Sequence, residues 1–205
     1  YYKIDENYLK GIDINDDDKV KVGDLIIRDL EEITGLDLEV IDSKLTYKLD
    51  KSGNPFIQSK GSATARLDLI NAIKGTLHNK DFISQPSGAK DGRSYSAPLN
   101  GVEYAVLNID QISGFISGAS KHLNPKTLGF GMSFLHEMLH TKQGGDLIDP
   151  NTEDGIKKGT TVHRLNIYRS ELNKTTSGKD WGKRQTYGTP ADNSSENYIP
   201  FNKAA

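Results

Sequence analysis

The sequence predicts an α+β fold in which a small sheet packs on a central, motif-bearing helix and a second helix lies toward the C-terminus. Three observations predict it. The chain has 205 residues, the size of one large domain or of a domain with an appended tail. Segments with helical apolar spacing are interspersed irregularly with segments that alternate like strands, and no internal repeat imposes a βαβ order. The apolar stripe from Leu128 to Leu139 is long enough for a buried helix. The expected organisation is a single domain over 1–205, with a hairpin and helix region over 1–60, a core over 100–187 and a polar tail over 188–205.

Residues 1–23 are polar, with a hairpin-like rhythm. Asp13, Asn15, Asp17 and Asp24 fall at positions 1, 3, 5 and 12 of a calcium-loop spacing. Asp18 stands where that loop turns on glycine, and Asp24 replaces the bidentate glutamate. An Asx-rich turn between two strands is the reading these departures favour. Asp24 to Thr34 reads as a helix capped by Asp24, with Leu25, Ile26, Leu30 and Ile33 apolar and Gly35 as its stop. Leu36 to Tyr47 alternates as strands do, and Lys51-Ser52-Gly53-Asn54 is a turn. Ser62 to Ile73 is a second helix, residues 76–98 read as loop, and Gly101 to Asp110 alternates as a strand. The central helix is expected from about Pro125 to Lys142; Gly129 and Gly131 within it favour close packing or an irregular start. A Gly/Asp-rich loop follows over 143–159, then a short helix from Val162 to Leu172 capped by Thr160 or Thr161.

Composition removes several function classes. The net charge of −2 gives no basic excess for nucleic acid or an anionic membrane surface. No apolar run approaches the roughly 20 residues of a membrane helix. With no cysteine, disulfides, thiolate metal sites and thiol nucleophiles are all excluded. The chain opens on Tyr1-Tyr2 without a signal-peptide pattern, so we expect a fragment or a processed product, with any export signal upstream.

The central helix carries His136-Glu137-Met138-Leu139-His140, an H-E-x-x-H sequence drawn from only 5 histidines. Residues i and i+4 share a helix face, so both imidazoles can grip one Zn²⁺ from the same side. The glutamate after the first histidine can then act as general base on a water at that metal. The bland alternative, two histidines in ordinary apolar packing, leaves three polar groups on a buried helix needing partners.

Catalytic zinc usually takes three protein ligands. Extending the motif toward H-x-x-G-x-x-H meets Gly144 one residue late and Asp146 at the last position. No methionine follows Met138, so the metzincin pattern is not continued. A ligand from a later helix points instead to His163, the sole histidine downstream of the motif. His163 is therefore the leading third ligand, with Asp146, Asp149, Glu153 and Glu171 as alternatives.

The order H-E-x-x-H, then Asn166-Ile167-Tyr168-Arg169-Ser170-Glu171-Leu172, then Arg184-Gln185-Thr186-Tyr187 resembles bacterial effector and polymorphic-toxin (Rhs-type C-terminal) metallopeptidase domains of the zincin type, over about residues 127–187. The resemblance implies a zincin-like fold and a secreted or delivered zinc endopeptidase acting on a protein or peptide. It also implies a cognate immunity protein as partner if the chain is a toxin. It carries over His136, Glu137 and His140 as site residues and makes the Asn166–Arg169–Glu171 helix their neighbour. In the resulting mechanism Zn²⁺ is held by His136, His140 and His163, Glu137 moves the proton, and Tyr168, Tyr187 or Arg184 steadies the oxyanion. The strand Val102–Ile109 would pair with an extended substrate. Arg169, Glu171 and Arg184 fit an ion-pair network equally well. Two further readings are a zinc amide or ester hydrolase and a degenerate zincin serving as a secreted binding module.

Overall fold

The computed structural model describes residues 2–4, 11–15, 18–42, 44–74, 80–85, 94–99, 102–119, 123–149 and 159–184. They form a mixed helix-and-strand, α+β arrangement. The strands are β1 (Tyr2–Ile4), β2 (Gly11–Asn15), β3 (Asp18–Lys21), β4 (Leu38–Ile41), β5 (Lys44–Tyr47), β6 (Lys80–Gln85), β7 (Tyr95–Leu99) and β8 (Val102–Asn108). The helices are α1 (Val22–Thr34), α2 (Ala63–Lys74), α3 (Ile109–Gly118), α4 (Phe130–Leu139) and α5 (Thr160–Thr175).

Six strands make one sheet in the order β4-β5-β1-β6-β8-β7, while β2 and β3 form a separate antiparallel hairpin. That hairpin occupies the stretch with calcium-loop spacing; Asp17 lies outside the described residues. Within the large sheet β6 runs parallel to β1 and β8, and the other pairs are antiparallel.

The first helix forms much as its pattern predicts. Leu25, Ile26, Leu30 and Ile33 are all buried, and Gly35 follows its last turn, its N–H bonded to Glu31 O at 2.7 Å. The helix starts two residues early, at Val22, so Asp24 sits in the first turn instead of capping it. There its charge complements the partial positive end of the helix. The second helix, Ala63–Lys74, starts one residue after the expected Ser62.

Elsewhere the expectations need correction. Residues 76–98, read as loop, contribute strands β6 and β7. The strand expected to run to Asp110 stops at Asn108, whose side chain accepts from Gln111 N–H at 2.9 Å and caps α3. The single helix expected over 125–142 is three pieces: a 3₁₀ turn at Pro125–Leu128, α4, and a second 3₁₀ turn at Lys142–Gly144. Gly129 separates the first two and serves as N-cap of α4.

α4 is buried nearly all round, with Phe130, Met132, Phe134, Leu135, Met138 and Leu139 in the main core. It packs against α1, α5, β7 and β8. Against α1 the approach is close: a Cβ on Gly131 would lie 2.6 Å from Cβ of Asp29. The glycine buys that contact at the cost of helix propensity. The helix α5 presents Val162, Leu165, Tyr168 and Leu172 inward at helical spacing. No described helix is long and apolar enough to cross a membrane.

Candidate metal centre

The buried helix α4 carries His136 and Glu137 in its last turn, and His140 is its C-cap residue. His136 and Glu137 are only 9% and 4% exposed. The chain then reverses. Thr141 caps the Lys142–Gly144 turn by accepting from Gly144 N–H, and Leu147 N–H donates to Leu139 O at 2.9 Å. Only a residue without a side chain fits at 144, because a Cβ there would lie 1.9 Å from Met138 O. The reversal brings Asp149 back over the end of α4.

Two contacts fix this return segment. Ile148 N–H donates to Thr160 Oγ1 at 3.0 Å, and Thr160 Oγ1 donates to Ile148 O at 3.2 Å. The predicted cap residue therefore ties the loop to α5 instead of capping it; the N-cap is Gly159. Leu147 O lies 2.8 Å from His140 Nδ1. A carbonyl can only accept, so Nδ1 carries the proton and the Nε2 lone pair of neutral His140 faces inward.

The inward atoms form a nearly equilateral triangle. His136 Nε2 lies 3.0 Å from Asp149 Oδ2, His140 Nε2 lies 3.1 Å from the same oxygen, and the two nitrogens are 3.1 Å apart. Three acceptor atoms at such distances repel unless a cation, a proton or a metal, lies among them. Among the described residues, His136, His140 and Asp149 make up a group able to hold a metal ion. Among the described residues Asp149 Oδ1 is buried without a hydrogen-bond partner.

The electrostatics run the same way. Burial resists ionisation of Asp149, but the facing His136 and His140 rings outweigh it and hold the carboxyl well below its usual range. For His140, burial disfavours the charged ring and the Asp149 contacts overcome it, raising its pKa. Glu137 is pushed up, chiefly by burial.

The other predicted ligands lie elsewhere. His163 is exposed in the first turn of α5, so Asp149, not His163, is the third member of the cluster. The reason is the reversal: it brings the loop to the histidines, while the start of α5 holds the loop through Thr160. Asp146 is exposed at φ 55 and is not in the cluster. Glu171 serves another helix, accepting from Ser62 Oγ, Thr64 N–H and Thr64 Oγ1 at the start of α2. Glu153, Tyr187, His78 and His122 lie outside the described residues.

The described contacts of the Asn166–Arg169–Glu171 signature serve separate tasks. The Asn166 side chain clips the backbone of Arg184 from both sides, donating to its carbonyl at 2.7 Å and accepting its N–H at 2.9 Å. Arg169 donates to Thr127 and to Asn166. Tyr168, named as an oxyanion donor, gives its hydroxyl to Asp68, which also takes a bidentate pair from Arg164 at 2.7 Å. Arg184 does reach the centre's surroundings: with His136, Glu137 and Arg169 it lines a small cleft.

The strand expected to receive substrate is also corrected. β8 is paired on both sides, by β6 and β7, so it has no free edge. Among the described strands the edge on this side belongs to β7, which touches α4. Comparisons with protein-family models, curated proteins and solved structures find no match to this chain.

Proposed function

We propose that the chain is a zinc-dependent endopeptidase of zincin type, with His136, His140 and Asp149 as metal ligands and Glu137 as general base. The observation that carries this reading is the triangle of lone-pair atoms 3.0–3.1 Å apart beside a buried glutamate. Ligands about 2.0–2.1 Å from a tetrahedral zinc are separated by about 3.3 Å, so the donors lie within a few tenths of an ångström of that spacing. Two imidazoles and one carboxylate are also a donor set that catalytic zinc uses. The Leu147 carbonyl on His140 Nδ1 supplies the outer partner that orients such a ligand.

Zinc bound there would acidify a water and polarise the scissile carbonyl. The protein's own groups do the rest. Glu137 takes the proton from the attacking water and returns it to the leaving amine. Its burial raises its proton affinity above that of an ordinary glutamate. Arg184 borders the same cleft; with Tyr187 it remains a candidate for steadying the oxyanion, whereas Tyr168 is committed to Asp68. Among the described strands β7 is the outermost on this side of the sheet, which suits an extended peptide added as a further strand, and Ser94 just before it borders the cleft.

The order of H-E-x-x-H, Asn166-x-x-Arg169-x-Glu171 and Arg184-x-x-Tyr187 supports a bacterial effector or toxin domain working outside the cell that makes it. A cognate immunity protein is then its expected partner. The experiment is a pair of measurements on wild type and Glu137→Gln: zinc per chain by elemental analysis, and cleavage of unfolded casein. We expect about one zinc in both proteins and hydrolysis only in wild type. Undiminished hydrolysis by the variant, or wild type that binds no zinc, overturns the reading.

A further inference from the structure

A second hollow lies at the other end of α4 from the histidines, where Phe130 begins that helix. α1 packs on α4, α3 packs on the Pro125–Leu128 turn, and the space left between the two helices is a cavity of about 580 Å³. None of its lining residues borders the small cleft beside Glu137. The volume falls in the usual range of small-molecule sites. Small residues on α3, Ser113, Gly114 and Ser117, keep that helix from filling it. Buried Leu25 and Phe130 form its floor, and half-buried Ile116 and Pro125 complete an apolar wall. Arg28, Ser113 and Ser117 are exposed and stand at its rim.

The polar groups of the cavity divide unevenly into used acceptors and spare donors. Its carboxylate, Asp29, is committed on both oxygens: Oδ2 accepts from Gly131 N–H at 3.3 Å, and Oδ1 lies 3.2 Å from Lys126 Nζ. Lys126 also donates to Glu32 Oε2 at 2.5 Å. An ammonium has three N–H donors, so one remains for a further acceptor. Among the described residues the Arg28 guanidinium forms no hydrogen bond or ion pair, and its planar fork matches a carboxylate. A ligand that fits this surface carries an apolar body for the floor and an acceptor with negative charge for the rim.

We propose that this cavity is a binding site for a small apolar carboxylate, with the hydrocarbon body against Leu25, Ile116, Pro125 and Phe130 and the carboxylate held by Arg28 and the spare Lys126 N–H. This site goes beyond the peptidase reading and does not rest on it. The charged rim sets the sign of the head group. An amine would meet Arg28 and Lys126 as like charges, and a neutral head would leave the guanidinium without its charged partner.

The test is calorimetric titration of the full chain with decanoate, decanol and decylamine, all below their aggregation thresholds. We expect decanoate to bind about tenfold more tightly than decanol, the worth of one charge-assisted hydrogen bond, and decylamine to bind most weakly. Arg28→Gln should bring decanoate down to the affinity of decanol, and Arg28→Lys should keep part of the difference. Ser113→Trp and Ser117→Trp put a bulky ring at exposed rim positions, where folding does not depend on the serine, and should weaken decanoate and decanol alike. Unchanged melting temperatures check that these variants are folded. Asp149→Asn, which alters the candidate metal centre, should leave decanoate binding as it is and so separates the two sites. Decanol or decylamine binding as tightly as decanoate overturns the proposal, as does the absence of binding by all three. Decanoate affinity undiminished by Arg28→Gln, or undiminished by both tryptophan variants, overturns it as well.

Discussion

Asp149 and His140 show how much a single residue's surroundings decide. His140 is oriented by the Leu147 carbonyl, and Asp149 is brought in by the same reversal two residues later. Changing Asp149 to Asn removes a charge from the ligand set while keeping the side chain's size. Losing an outer-shell partner costs about 10–100-fold in metal affinity, and loss of a ligand should cost more. We therefore expect Asp149→Asn to weaken zinc binding by at least that factor in a chelator competition, and His163→Ala to leave it unchanged. The reverse result would restore His163 as the ligand. The H-E-x-x-H residues were legible because helix periodicity alone puts i and i+4 on one face. Asp149 was only one acid among several, because nothing in the local pattern specifies a chain reversal that depends on Gly144 meeting Met138 O at short range and on Thr160 reaching Ile148.

At the scale of elements, periodic segments with their own stop signals were readable, and segments defined by partners were not. The α1 stripe and Gly35 were enough to find that helix. Strand β6, Lys-Asp-Phe-Ile-Ser-Gln, lies between β1 and β8 and owes its state to those neighbours, not to clean alternation. Asn108 ends β8 and starts α3 in one residue, which conceals the boundary. Glu171 was read as a ligand candidate or an ion-pair member, yet it caps α2 from α5, 107 residues away from Thr64. Burial resists its ionisation, but hydrogen bonds from Ser62 and Thr64 outweigh this and lower its pKa. The stability it gives is therefore fully present above the ordinary glutamate range and is lost as pH falls through the lowered folded-state value. We expect Glu171→Ala to lose about 1 kcal/mol at neutral pH, the usual size of a lost cap. The gap to wild type should narrow below about pH 4, where an ordinary glutamate is protonated. Denaturant melts at neutral and acid pH check this, and a gap that widens in acid would refute the capping role.

Over the whole molecule, the candidate metal centre lies where three parts of the chain meet: the end of α4, the return segment to Asp149, and the start of α5 that holds Ile148. The first belongs to the main core through Met138 and Leu139, and α5 joins it through Leu165, Tyr168 and Leu172. The return segment joins them by a few hydrogen bonds and by the ligand triangle. A metal bound there links these parts and stabilises the folded chain over the unfolded one by mass action, about 4 kcal/mol at a thousandfold excess over Kd. For a chain of this size each kcal/mol moves the melting midpoint by about 2–4 °C. Stripping the metal with a chelator should then lower Tm by roughly 8–16 °C. Asp149→Ala should melt at one temperature with or without chelator, because it starts without the link. Hydrogen exchange should report where the loss falls: faster in residues 141–149 and the first turn of α5, little changed in α1, whose core contacts do not involve the metal. A wild-type Tm unaffected by complete removal of metal would show that the three parts are held by packing alone, and would separate the centre's chemistry from the stability of the fold.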